Sequence, residues 1–351
     1  MYKTPMQFLE QLIVTQFGLV IAFIATAALV VLAGIRLSIY GDALGDRTGL
    51  GNGLIGLIFL AGVTSLPELV VSLTSVLNAI NLASGTDLAT GNMLGSNIFN
   101  LLILAFMALL FPKKFKPQEM NDPHTDSILY GLLLLAIFSL SYLASNWGSW
   151  LVPGLNCAWL VLALPIAYGF ILVREHKQHQ QSEEPHLPEE TKLTQLPAAR
   201  FYSVLIGLCS LIIIGGIVLS ILGSRMALPA EQGGFGLEAS LIGTIFLAIS
   251  TSLPELVISF ASIRMGFLDM AVGNVLGSNM FNLLIIFVAD VAMRKGSLLE
   301  LASSKHWTSV TLIFFLTGMA MLLLRTQSKK SAVTVASGMV ALYVVVMVLF
   351  I

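Results

Sequence analysis

The chain is a succession of long apolar runs separated by short polar connections. Ten of these runs approach or exceed the roughly 20 residues a helix needs to cross a bilayer. They lie near residues 12–37, 54–80, 87–110, 128–145, 154–173, 201–223, 238–263, 268–290, 307–324 and 332–351. The first has neither the basic flank nor the small-residue cleavage site of a secretory signal, so it reads as a retained helix. The expected fold is an all-α polytopic membrane protein of ten transmembrane helices. The one long polar stretch is 174–200, with His176, His179, His186, the pairs Glu183/Glu184 and Glu189/Glu190, and three prolines. Nothing there holds ligands in a fixed geometry, so it reads as a solvated linker rather than a metal site. It separates a first membrane repeat, 1–173, from a second, 201–351. Five spans per half is an odd number, so the second half is expected to insert upside down relative to the first.

Composition agrees with the pattern. The chain is 56% hydrophobic and 11% charged, where a soluble domain carries about 45–50% apolar residues. A formal net charge of −1, without basic residues interleaved with aromatics, excludes nucleic acid as a partner. No glycine loop followed by Lys is present to cradle a phosphate, so neither an ATP-driven pump, an enzyme nor a bound cofactor is expected. Cys157 and Cys209 sit in apolar runs and read as small buried hydrophobes. No protein partner is indicated, and the lipid bilayer is the expected surround. Arg36, Arg47, Lys113, Lys114, Lys116, Arg174, Lys177, Lys192, Arg200, Arg264, Arg325, Lys329 and Lys330 fall on one side of a ten-span layout. The positive-inside rule puts that side, including 174–200, in the cytoplasm and both termini outside, in a cell (inner) membrane.

The informative polar residues are those inside apolar runs. TSLPE occurs at residues 64–68 and again at 251–255, and each copy is followed by GNxLGSNxFN, at 91–100 and 273–282. Residues 55–75 and 242–262 share about fifteen identities in 21 positions, and 87–103 and 269–285 about thirteen in 17, which marks an internal duplication. A carboxylate at the centre of a span costs about 2.5–3.5 kcal/mol on insertion scales, so a duplicated pair of them points to a functional site. On a helix, Thr64, Ser65 and Glu68 share one face, and Pro67 withholds a backbone donor and opens the ladder near Val63 and Thr64. Thr251, Ser252, Pro254 and Glu255 repeat the arrangement. Ser96 and Asn100, like Ser278 and Asn282, are four apart and supply a hydroxyl and an amide at one level. Oxygen ligands without His or Cys suit hard cations such as calcium and sodium. Asn97 and Asn279 are expected to bond backbone opened by the prolines. Asp87 and Asp269 are expected to be helix caps or mouth charges. Gly91, Gly95, Gly273 and Gly277 suit close helix approach as well as they suit a site.

These motifs resemble the two alpha repeats of the sodium/calcium exchanger family of cation/calcium antiporters, closely over residues 55–103 and 242–285. The resemblance implies ion sites at the membrane centre, occupied alternately by one calcium or about three sodium ions, with access switched by sliding of the first and sixth helices. On matching positions, Glu68 and Glu255 would be the central calcium carboxylates, joined by carbonyls of Thr64 and Thr251. Sodium would use Ala61, Thr64, Ser65, Ser96 and Glu68 on one side, and Ala248, Thr251, Ser252, Ser278 and Glu255 on the other. Asn100 and Asn282 would complete the middle. The chain departs from the family pattern at Val63 and Ser250, where glycine is usual, and at Asn282, where potassium-dependent relatives have Asp. Its linker is too short for calcium-sensing domains.

Transported calcium and sodium are thus the expected partners, calcium extrusion in exchange for sodium is the expected activity, and alternating access is the expected mechanism. Two empty ionised glutamates are costly to move through a low-dielectric region, whereas one Ca²⁺ or two or more Na⁺ offset them, which favours exchange over a channel. The alternative is a calcium/proton antiporter, since a buried carboxylate can carry a proton in place of sodium. A scaffold or channel gives no account of two matched carboxylates.

Overall fold

The computed structural model describes residues 16–77, 82–120, 124–145, 152, 157–182, 193–227, 230–235, 250–293 and 296–350. No β-strand occurs among the described residues. That follows from the apolar sequence: backbone polar groups that no water reaches must bond within their own segment, and only helices do so for an isolated span. In chain order the helices are α1 (Gln16–Thr48), α2, α3 (Leu66–Leu77), α4 (Leu82–Leu110), α5 (Thr125–Ser145) and α6 (Ala163–Ser182). They continue with α7 (Ala198–Ala227), α8 (Leu253–Met265), α9 (Leu268–Met293), α10 (Leu298–Leu301), α11 (His306–Leu324) and α12 (Lys329–Phe350). Helix α2 is composite, with α-helical ends Asn52–Leu54 and Ala61–Thr64 flanking a π-helical stretch, Ile55–Leu60. Such π-helical insertions are frequent at functional sites.

Seven helices, α1, α4, α5, α7, α9, α11 and α12, are long and apolar enough to cross a membrane, and α2 with α3, joined at a 41° bend, makes an eighth. Eight of the ten expected spans are therefore present among the described residues. Of the other two, 238–263 falls partly on residues outside the described ones, where α8 is its described helical part. The span expected at 154–173 differs in extent. Its helix α6 starts only at Ala163 and runs on to Ser182, into the stretch read as linker. The good helix formers Glu175, Lys177, Gln178 and Gln180 carry the helix past the apolar run.

Burial is graded across the bundle. Over the most apolar window of each helix, 72% of the α4 residues and 61% of the α9 residues are buried, against 17% for α12 and 28% for α1. Helices α4 and α9 thus form the centre and α1 and α12 expose apolar side chains, the order expected when the surround is lipid. The interior carries the small polar residues Ser72, Thr90, Asn92, Ser259 and Asn274, all buried. Helix α2 meets α9 backbone to backbone. A Cβ at Gly277 would lie 2.0 Å from the Leu57 carbonyl oxygen, one at Gly273 2.4 Å from that of Gly53, and one at Gly56 2.2 Å from that of Met270. Gly273 and Gly277 are therefore close-packing residues. The segment equivalent to α2 that would face Gly91 and Gly95 lies outside the described residues.

Helices α1 and α7 pack along each other. The Cβ position of Gly215 is 2.5 Å from Val30 Cγ2, and the rings of Tyr40 and Phe201 stack at 5.2 Å between centroids. Arg47 lies 4.1 Å over the Phe201 ring and donates to the carbonyls of Leu193 (2.9 Å), Thr194 (3.0 Å) and Leu196. The C-terminal end of the 174–200 stretch is thereby tied to the end of α1.

Adding one methyl at Gly277 (Gly277→Ala) is expected to destabilise by about 1–3 kcal/mol or more, because what it meets, the Leu57 carbonyl and the Ala61 Cβ at 2.7 Å, cannot swing aside. Thermal melting of the purified protein in detergent checks this, with Gly207→Ala in α7, whose Cβ position meets nothing within 4 Å, expected to melt no lower than the wild type.

Candidate functional site: a buried pair of glutamates

The two TSLPE copies break their helices in the same way. In the first, the ladder is closed as far as Ala61, which accepts from Ser65 N–H at 3.0 Å, and resumes at Ser65, which accepts from Leu69 N–H at 3.2 Å. Between them the ladder is interrupted at the carbonyls of Gly62, Val63 and Thr64, as a proline at 67 requires. The break residue itself is Ser65 (φ −88°, ψ 2°), and its equivalent Ser252 has φ −89° and ψ 12°. The open carbonyls thus fall at the expected Val63 and Thr64, and the serine that follows absorbs the dihedral change.

The breaks interlock through bonds that exchange between halves. Ser65 Oγ donates to Glu255 Oε1 at 3.2 Å, and Ser252 Oγ donates to Glu68 Oε1 at 3.0 Å. Thr64 Oγ1 lies 3.3 Å from Ser278 Oγ, and Ser96 Oγ lies 3.4 Å from Thr251 Oγ1. Thr64 donates to Asn274 Oδ1 at 3.4 Å, and Thr251 donates to Asn92 Oδ1 at 3.3 Å. Each glutamate is thus held by the serine of the opposite repeat, and the eight residues Thr64, Ser65, Glu68, Ser96, Thr251, Ser252, Glu255 and Ser278 are all fully buried.

What is left unbonded defines the chemistry around the glutamates. Glu68 Oε2, Glu255 Oε2, Asn282 Oδ1 and both amide atoms of Asn100 are buried without a hydrogen-bond partner. A buried acceptor without a donor costs about 1–3 kcal/mol, and more when charged. Carboxylate and amide oxygens left open in this way have the chemistry to take a cation. No group of three His, Cys, Asp or Glu forms among the described residues, so the donor set is carboxylate, hydroxyl, amide and carbonyl oxygen, which suits a hard cation. Ala61 is buried; its carbonyl accepts from Ser65 N–H and lies 3.3 Å from Thr64 Oγ1, an alternative acceptor for that hydroxyl. Its equivalent, Ala248, lies outside the described residues.

Two expectations need correction. Asn97 and Asn279 do not bond the proline-opened backbone. Asn279 Nδ2 donates to the Asn97 carbonyl at 3.3 Å and Asn282 Nδ2 to Asn97 Oδ1 at 3.0 Å, so these amides tie α4 to α9. The amides that do reach the broken segments are Asn92 and Asn274. Asn92 Nδ2 donates to the Glu68 carbonyl (3.5 Å) and to Ser72 Oγ (3.2 Å), and Asn274 Nδ2 to the Glu255 carbonyl (3.4 Å) and to Ser259 Oγ (3.0 Å). Sequence reasoning passed over them, although both are identical between the repeats, as are Ser72 and Ser259. The second correction is that Asp87, six residues into α4, does not cap its own helix, and both aspartates reach across to the other half. Asp87 Oδ1 accepts from Ser303 N–H at 2.6 Å and sits 3.2 Å from His306 Nε2, at the start of α11, while Asp269 Oδ1 is 3.6 Å from His124 Nε2. The aspartates thus pair across the halves with two histidines that are themselves in register between the repeats.

A helical membrane bundle whose centre is a duplicated, oxygen-lined pair of carboxylates defines a cation transporter. The chain belongs to the sodium/calcium exchanger protein family, whose profile matches residues 18–173 and 207–351. It is 30% identical over 294 residues to the inner membrane protein YrbG of Escherichia coli, covering 81% of this chain and 83% of that one. It is 45% identical to the sodium/calcium exchanger MaX1 of Methanosarcina acetivorans over 51 residues, 14% of this chain and 15% of MaX1. The fold matches that of the sodium-calcium exchanger NCX_Mj, solved after soaking with sodium and strontium, with a TM-score of 0.67 at 21% identity over 94% of this chain and 97% of that chain.

Replacing Asn92 or Asn274 by Ala removes a donor from a glutamate carbonyl and a serine hydroxyl. Each single variant is expected to cost about 1–3 kcal/mol, and by the equivalence of the two halves the losses should be of similar size. Melting curves of the two variants side by side in detergent provide the check.

Proposed function

We propose that the chain is a secondary active antiporter that exchanges calcium for sodium by alternating access, with calcium extrusion as its direction. The observation that carries this reading is the reciprocal bonding of Ser65 to Glu255 and Ser252 to Glu68, with the other oxygen of each glutamate buried and unpartnered. Two carboxylates held in one place offset one Ca²⁺. They offset sodium ions equally well if the flanking hydroxyls of Thr64, Ser65, Ser96, Thr251, Ser252 and Ser278 turn from each other to the ions. Carbonyls of Thr64, Thr251, Ala61 and Ala248 complete the ligand set, with Asn100 and Asn282 at its middle.

The two ions are alternatives because they claim the same oxygens. A loaded site is electrically compensated and can change its exposure, whereas an empty one leaves two charges in low dielectric and does not. The moving parts we assign are α1 and α7. Helix α7 lies across both breaks, with Gly216 so close to the prolines that a Cβ there would be 2.4 Å from Pro67 and 3.3 Å from Pro254, and α1 packs on α8, with Gly34 against Val257. Contacts of glycine backbone with rings present little to interlock against sliding. The repeats are taken as inverted five-span halves joined by 174–200, with the basic side of the bundle cytoplasmic and both termini outside.

Calcium uptake into sodium-loaded proteoliposomes, followed with radioactive calcium, tests the proposal. Uptake should require the outward sodium gradient and be lost in Glu68→Gln and Glu255→Gln alike. Uptake driven by a pH gradient without sodium would replace sodium with protons as the coupling ion, and uptake indifferent to both glutamates would overturn the proposal. If about three sodium ions move per calcium, one net charge crosses per cycle, and an imposed membrane potential should change the uptake rate.

A further inference from the structure

Away from the glutamates, the basic side of the bundle carries a cavity of about 310 Å³ lined by Pro112, Lys113, Phe115, Lys116, Pro117, Gln118, Thr326, Ser328, Lys329 and Ala332. This is within the roughly 300–1,000 Å³ of small-molecule pockets. Its floor is the buried Phe115, Pro117, Thr326 and Ala332, and its rim is the exposed Lys113, Lys116, Gln118, Ser328 and Lys329. No acidic side chain lines it. Lys116 is paired with Glu119 at 2.8 Å, on the same short connection, while no described residue forms a salt bridge with Lys113 or Lys329. Ser328 Oγ already accepts from Ser331 N–H at 3.1 Å, which leaves its hydroxyl hydrogen to donate into the cavity. Two uncompensated ammonium groups, a hydroxyl and the Gln118 amide around an open pocket are the chemistry of a phosphate site.

Its position names the source of the phosphate. The cavity is bounded by the connection after α4, which ends at Leu110, by the end of α11 at Leu324, and by the start of α12 at Lys329. These are three membrane-crossing helices, so the cavity opens at the level where a bilayer's headgroups lie. Leu110 near one boundary and Leu322 near another are each 62% exposed, an apolar surface along which acyl chains can run. We propose that this cavity binds the phosphate of an anionic phospholipid, with Lys113 and Lys329 as its charge partners and Ser328 and Gln118 as neutral donors. The lipid ties the connection between α4 and α5 to that between α11 and α12, and so bridges one half of the chain to the other. The proposal does not depend on which ion is transported.

The test uses the full chain in nanodiscs of phosphatidylcholine with or without phosphatidylglycerol, with native mass spectrometry to count retained phosphatidylglycerol. A lysine near an anionic surface contributes roughly fivefold in affinity, so Lys113→Ala/Lys329→Ala should hold the lipid about thirtyfold more weakly than the wild type. The melting temperature in pure phosphatidylcholine should be unchanged, because both side chains are exposed. Inorganic phosphate added to the phosphatidylcholine discs distinguishes the sources. If it raises the melting temperature of the wild type and not of the double variant while lipid retention is equal, the cavity takes free phosphate and the lipid assignment is overturned. Equal retention by wild type and double variant with no response to phosphate overturns the site altogether.

Discussion

The structure is organised by the cost of keeping two carboxylates where water cannot reach them. Glu68 and Glu255 are fully buried at the centre of an apolar bundle, and ionised groups in such a place need a counter-charge and donors. The chain supplies donors for one oxygen of each, a serine hydroxyl from the opposite repeat, and leaves the other oxygen open. Half-satisfaction is the point: a fully bonded carboxylate would have no reason to take up an ion, and a wholly unbonded one would have no fixed position.

Most of the surrounding architecture serves that arrangement. Helix α2 bends into α3 at Ser65 because Pro67 cannot continue the ladder, and α8 starts after Ser252 for the same reason. Bringing the breaks together needs the backbones of α2 and α9 in contact, which Gly56, Gly273 and Gly277 permit. Asn92 and Asn274 then join each broken segment to the hydroxyl of the opposite repeat, so neither half can shift without disturbing the other's glutamate. The two Asp–His pairs, Asp87 with His306 and Asp269 with His124, repeat that cross-half coupling near the helix ends. Duplication explains why the linkages come in matched pairs: one sequence solution, used twice, builds a site neither copy could build alone.

The glutamates, their hydroxyl neighbours and the membrane class were legible in the sequence because each violates an expectation of apolar spans, and repetition removes chance as the explanation. The close-packing role of Gly273 and Gly277 was legible only as one of two readings, since a glycine tolerates contact and flexibility alike. The roles of Asn92, Asn97, Asn274 and Asn279 were not legible. An amide on the same helix as Ser96 or Ser278 can face the glutamates, the backbone or the next helix, and only the crossing of α4 and α9 decides. For Asp87 the sequence left a cap or a mouth charge open, because its partners, Ser303 and His306, lie far along the chain. The extent of α6 was misjudged because apolarity marks where a helix enters lipid, not where it stops; the helix formers beyond residue 173 carry it to Ser182.

The central claim is that two repeats build a single composite site. Calorimetric titration of the purified protein with calcium, at a series of sodium concentrations, tests it most directly. One calcium per chain is expected, with sodium displacing it competitively and more steeply than a single ion would. Two independent calcium ions per chain, or binding indifferent to sodium, would contradict it.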